Sequence, residues 1–426
     1  MLDLLVIGAG LAGLTAAATA AAAGLQVRVI AKGLGSMHWG AGTIDVLGYL
    51  PGSDAPAAAP LAALDQLPGE HPYRLVGTAG VATALAWFRQ AMDDTGLPYL
   101  AREGGANWRL PSPIGAVRPA CLAPQAQVDG DLAQSRPMVI VGFTGLRDFF
   151  PALIAENLAR QGQPARAASL PLRLITDRTD SNSVHLAQAL DAPAIRQRLA
   201  AELRALVQPG ERIGLPAILG LDAHGDVLAD LREGSGAPIF EIPTLPPSVP
   251  GIRLYQALRG HLAGQGVRIE AGMTAISHAA GEHIQWISTE TSARPLLHRA
   301  RSYLLATGGL LGGGLDSDSS GRLWEPIFDL PLAAPPDRQA WFRHRFLDPS
   351  GHPIFRSGVR VDAAFQPVDA QGCRRFANLW AAGAVLGGCD PIRERSLEGL
   401  AIVTGAAAAH AVVTAHQTAP DDPRLP

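Results

Sequence analysis

At 426 residues the chain is long enough for two or three lobes with sizeable cores. Its 35 basic residues nearly balance 38 acidic ones, and no Lys/Arg block stands out, which argues against nucleic acid as the main partner. Cys121, Cys373 and Cys389 stand far apart with no Cys-x-x-Cys, so the spacing excludes a disulfide framework and iron–sulfur or zinc ligation; a reducing compartment fits.

The first strand opens almost at residue 1, leaving no room for a signal peptide. The longest apolar runs, residues 11–25 and 399–413, fall short of the roughly 20 residues a membrane span needs. A cytoplasmic protein with no direct span is expected.

Leu4-Leu5-Val6-Ile7 predicts a buried strand, Gly8-Ala9-Gly10-Leu11-Ala12-Gly13 a glycine turn, and the Ala-rich stretch that follows a helix. Strand, GxGxxG turn and helix in that order form a dinucleotide-binding start. Gly8 permits the tight turn, Gly10 leaves room for a phosphate, and Gly13 lets helix and strand pack closely. The helix start, at Leu11 and Ala12, offers free N–H groups and partial positive charge.

Residues 25–31 alternate like a second strand and complete a βαβ unit. Such strands usually end in Asp or Glu, which holds the adenosine ribose. Here Ala31 and Lys32 stand there instead. Three readings follow: an acid supplied from elsewhere, an NADP-like cofactor, or a cofactor without adenosine such as FMN. The next segment, Gly33 to Asp45, carries Ser36, His38 and Gly42. It reads either as a plain loop or as a backbone-lined cradle under a flat cofactor ring.

Residues 51–72 are an Ala/Pro-rich connection. Residues 76–95 and 145–160 predict helices, residues 137–142 a strand, and residues 199–218 further helix. Residues 52–250 are thus expected to be an inserted cap or substrate lobe. In residues 241–253 four prolines stiffen the chain ahead of Arg253. That run reads as a rigid connector or as a wall of the active site with Arg253 as an anion or flavin contact.

After a helix (254–264) and short strands, the strand at 301–305 ends in Ala306-Thr307-Gly308-Gly309, a second flavoprotein signature. Near the end, Trp380-Ala381-Ala382-Gly383 leads through Asp390 into an apolar helix. Its start, at Gly399 and Leu400, is expected to face the flavin N1–C2=O edge. Three signatures in order define the expected fold class: α/β, a Rossmann-like two-dinucleotide-binding flavoprotein fold with an inserted cap lobe. Its flavin-binding parts are residues 1–51, 251–318 and 372–426. Residues 319–371, which include His344, His352, Arg356 and Arg360, return to the cap.

Beyond these generic motifs, residues 34–47, 140–149, 243–254, 312–315, 352–362 and 380–392 resemble the family of the anaerobic glycerol-3-phosphate dehydrogenase B subunit nearly end to end. The Pro-Thr-Leu-Pro-Pro-Ser-Val-Pro-Gly-Ile-Arg run is especially specific. The resemblance implies an FMN-bearing subunit that pairs with an FAD-containing catalytic A subunit. An iron–sulfur C subunit carries the complex to the membrane and its quinones. It also implies oxidation of sn-glycerol 3-phosphate, a small phosphorylated polyol, to dihydroxyacetone phosphate. Arg253, Arg356 and Arg393 are then candidate phosphate clamps, and His352 or His38 a candidate base. Where the family usually carries a small-residue loop before the last helix, this chain has Arg393-Glu394-Arg395-Ser396-Leu397-Glu398-Gly399. The alternative from another class is a stand-alone FAD-dependent oxidoreductase of the fumarate-reductase-like kind.

Overall fold

The computed structural model describes residues 2–290 and 294–418, so residues 419–426 of the expected closing segment lie outside the described residues. The chain forms two compact units. The first is Met1–Ser36, Asp45–Ala91 and Leu258–Pro426; the second is Met37–Ile44 and Met92–Ala257.

In chain order the principal elements begin with β1 (Leu2–Ile7), α1 (Leu11–Ala22), β2 (Val27–Ala31) and α2 (Pro72–Asp93). Then come β3 (Met138–Thr144), α3 (Pro151–Arg160), β4 (Ala165–Pro171), α4 (Pro193–Leu206), β5 (Arg212–Pro216), α5 (His224–Ser235) and β6 (Ile239–Ile242). The chain continues through α6 (Val249–Gly264), β7 (Arg268–Ala271), β8 (Thr274–Ala280), β9 (Ile284–Glu290) and β10 (Leu296–His298). It closes with β11 (Ala300–Leu305), β12 (Leu379–Ala381) and α7 (Leu397–Thr418).

The first unit is built on a five-stranded sheet of order β7-β2-β1-β11-β12, with every neighbouring pair parallel. An apolar run such as Leu4-Leu5-Val6 requires cover on both faces, and all three residues are fully buried. Part of that cover is α1, whose small side chains let α7 come close: a Cβ on Gly405 would lie 2.5 Å from the Ala12 carbonyl oxygen. The 22-residue helix α7 is longer than its apolar run suggested. Its length and composition would allow it to cross a membrane, yet most of it is buried within the fold, as in the core helix of a globular unit. Strands β8, β9 and β10 form an antiparallel meander.

The second unit has its own four-stranded parallel sheet, order β6-β5-β3-β4, within an apolar core that includes α3, α4 and α5. The sequence pattern did not reveal this sheet. Residues 199–218 were expected to be helical, but α4 stops at Leu206 and β5 follows. Pro209 and Gly210, the latter at φ +82°, turn the chain between them. Residues 319–371, assigned from sequence to the cap lobe, fall in the first unit. Residues 52–91 also belong there: His71 and Tyr73 bond to Glu394 (3.1 Å) and to the Ser396 carbonyl (3.2 Å).

Candidate functional site

Strands β1, β2, β11 and β12 run parallel, so their carboxyl ends and the loops that follow lie on one edge of the sheet. Gly8 follows β1 at φ +117°, and a Cβ there would lie 2.2 Å from the Ala306 oxygen, so only glycine lets these two loops touch. Gly10 caps α1 with extended backbone; no side chain caps the helix and its first turn holds no acidic residue. The N–H groups of Leu11, Ala12 and Gly13 therefore make up an uncapped, electropositive helix start. A Cβ on Gly10 would meet nothing within 4 Å, which leaves open space there.

The loop after β2 closes on this start, since a Cβ on Gly35 would lie 2.9 Å from the Gly10 Cα. Lys32, Gly33 and Ser36 are exposed along it. After β11, Thr307 keeps a buried hydroxyl with no hydrogen-bond partner, and Gly308 turns at φ +86°. After β12, Gly383 packs on Ala12 and its N–H donates to the Thr404 hydroxyl at 2.8 Å. Most of the expected cofactor residues thus share one sheet edge. An open glycine cap, an uncapped helix start and an orphaned hydroxyl together fit a phosphate-bearing flavin.

Other expected contacts have different duties. His38 and Gly42 belong to the second unit. There Gly42 sits at φ +80° against Pro250, and a Cβ on Gly251 would lie 1.9 Å from the Met37 oxygen. The Gly/Ser-rich loop and the proline run thus fit each other backbone to backbone. His38 lies 5.1 Å from the Tyr255 ring, its Nε2 is buried without a partner, and burial lowers its pKa. Gly399 donates its N–H to Asp45 (3.1 Å) and Leu400 to Ser396 (2.8 Å), so neither N–H is free to face a ligand. Asp390 folds back on its own loop, accepting from the Arg393 N–H at 3.0 Å, and burial pushes its carboxyl pKa up.

The arginines divide sharply. Arg253 is 4% exposed and its guanidinium is committed: two bonds go to Glu241 (2.8 and 2.9 Å) and one to the Gly220 carbonyl (2.8 Å). It is a structural knot, not an anion clamp. Beside it His224 is pushed down to about 4, chiefly by burial and then by the Arg253 charge. Arg393 pairs with Asp54 and Arg395 with Asp45, while Glu394 meets the fully buried His71. The charged loop that departs from the family pattern is therefore tied into its own unit by two ion pairs and a buried His71–Glu394 hydrogen bond.

His352 is also spent. Its Nδ1 accepts from the Arg343 N–H (3.1 Å) and its Nε2 meets the Phe346 carbonyl (2.9 Å), which leaves no ring nitrogen to act as a base. Arg356, by contrast, is exposed, and its guanidinium has no hydrogen bond or ion pair among the described residues. Arg360, four residues on and given no site role from the sequence, is in the same state. Only its spacing from Arg356 in Arg356-Ser357-Gly358-Val359-Arg360 signalled it.

A glycine-lined phosphate ledge on a parallel sheet marks a flavin- or nucleotide-binding protein, and comparison with known proteins narrows the class. Residues 3–400 match the FAD binding domain family, which places the chain among flavin-binding oxidoreductases. It is 36% identical over 426 aligned positions to the probable anaerobic glycerol-3-phosphate dehydrogenase B subunit of Halobacterium salinarum, covering 97% of this chain and 98% of that one. The B subunit of the Vibrio cholerae enzyme is 33% identical, with 96% and 95% covered. The chain belongs to the family of the anaerobic glycerol-3-phosphate dehydrogenase B subunit. Among solved structures it is similar to 3-ketosteroid delta1-dehydrogenase from Sterolibacterium denitrificans, at 11% identity and TM-score 0.45, covering 97% of this chain and 99% of that one.

Proposed function

We propose that this chain is the FMN-bearing subunit of a respiratory glycerol-3-phosphate dehydrogenase. In that complex sn-glycerol 3-phosphate is oxidised to dihydroxyacetone phosphate, and electrons pass through an FAD-containing A subunit and an iron–sulfur C subunit to quinone at the inner face of the cell membrane. The observation that carries the FMN assignment is the end of β2. The phosphate ledge is complete, yet residues 31–36 read Ala-Lys-Gly-Leu-Gly-Ser, and β7, paired beside β2, ends in Ala271-Gly272. The nearest acid on that edge in register, Glu270, sits 3.5 Å from Arg28. No carboxylate among these residues is left for an adenosine ribose, and FMN has none to hold.

When bound, the flavin supplies hydride acceptance and stepwise electron release. The chain's part is to hold its phosphate on the N–H groups of residues 11–13 and to shape the space around Thr307, Gly308 and Gly383. The commitment of Arg253 and His352 to structure supports a subunit that depends on partners for the full reaction.

Chromatography of the flavin released by acid from purified protein tests this reading. FMN is the expected result. FAD would overturn the cofactor assignment and favour a stand-alone oxidoreductase of the fumarate-reductase-like class.

A further inference from the structure

The first unit carries a cleft of about 580 Å³ beside the loop that follows β12, within the size range of small-ligand sites. Its floor is rigid. A Cβ on Gly358 would lie 2.4 Å from the Gly387 nitrogen, and backbone bonds join Gly387 to Val359 and Gly388 to Arg356, both at 3.1 Å. That floor begins four residues beyond Gly383, so it continues directly from the third flavin loop in the chain.

Arg356 and Arg360 line this cleft at either end of the buried Ser357–Val359 stretch. Neither guanidinium has a hydrogen-bond or ion-pair partner among the described residues, unlike Arg253, Arg393 and Arg395. Ser357, 6% exposed, keeps a buried hydroxyl without a partner in the same lining. Pro68, Pro72 and Pro335 supply apolar wall, and Glu70 lines the cleft beside Gly388. Two guanidiniums without hydrogen-bond partners on a fixed floor, one of them (Arg356) also acting electrostatically on the buried Asp390, match a dianion, which accepts paired N–H donors. The apolar walls match a short carbon body, and Glu70 offers an acceptor for a hydroxyl.

We propose that this cleft binds a small phosphate monoester, its phosphate held by Arg356 and Arg360 and its carbon body lying against the proline-lined wall. That the monoester is the phosphorylated polyol rests on the function proposed above; the anion site itself rests on the cleft alone.

Titration calorimetry on the flavin-loaded full chain, with inorganic phosphate and with sn-glycerol 3-phosphate, tests it. Wild type is compared with Arg356→Gln, Arg360→Gln and, as a charge-matched surface control, Arg345→Gln. Each cleft substitution is expected to weaken phosphate binding at least tenfold, with the flavin spectrum and thermal midpoint unchanged, while Arg345→Gln leaves binding intact. Equal binding in wild type and both cleft variants overturns the proposal, as does an equal loss in Arg345→Gln. Loss of phosphate binding in the cleft variants, with glycerol 3-phosphate no tighter than inorganic phosphate, supports the anion site and removes the polyol reading instead.

Discussion

The knot around Arg253 and the edge that carries Gly10 and Arg356 are both polar regions that the sequence marks as functional, and they differ in one respect. In the second unit each guanidinium nitrogen of Arg253 makes a hydrogen bond, Glu241 is 1% exposed, and the neighbouring Leu219 N–H also bonds to that carboxylate at 2.8 Å. In the first unit the helix start is uncapped, the Thr307 hydroxyl is orphaned, and Arg356 and Arg360 face the cleft unpaired. A folded chain leaves few buried polar groups unsatisfied without reason. Matched groups hold the fold; the unmatched ones on this open edge are those to which a ligand is assigned in the proposals above.

The largest effect should come from breaking the matched side. Arg253→Met strands Glu241 in the interior without its partner, and a loss of about 3–5 kcal/mol is expected in urea unfolding. A loss below about 1 kcal/mol would place Arg253 among the free arginines after all.

His224 sharpens the same region through pH. Its folded pKa of about 4 lies below the ordinary 6.5, so the unfolded chain takes up its proton first as pH falls. Its contribution is full above pH 6.5 and is lost between 6.5 and about 4, on the order of 3 kcal/mol. In His224→Gln that component of the acid slope should vanish, measured as the difference between the two stability–pH curves.

A smaller effect is expected at the charged loop. Arg393 is half-buried but its partner Asp54 is exposed, so Arg393→Ala should cost less than about 1 kcal/mol and leave flavin content unchanged. A loss of flavin there would move this loop from structure to cofactor binding.

The glycine loops of the first unit's sheet were legible because their signals are local, whereas residues 52–91 and 319–371 of the same unit were assigned from sequence to the cap. Gly8, Gly10 and Gly13 lie within six residues, and the Thr307–Gly308 and Gly383 loops each follow their own apolar strand. The fate of a charged side chain is not local. Whether Arg253 is free depends on Glu241 and Gly220, 12 and 33 residues away, and His71 meets Glu394 across 323 residues. Nothing near Arg253 in sequence separates it from Arg356. The parallel sheet of the second unit stayed hidden because short buried strands such as Arg212–Pro216 lack alternation and follow helices closely.

Gly10 offers the most direct test that the edge of the first sheet holds the flavin phosphate. Its backbone, at φ −76° and ψ 177°, suits alanine, and an added methyl touches no protein atom within 4 Å. Flavin affinity and apoprotein stability are to be measured together for Gly10→Ala. The account predicts unchanged apoprotein stability and at least about tenfold weaker flavin binding, some 1.4 kcal/mol. Unchanged flavin affinity would show that the phosphate lies elsewhere and would contradict the site.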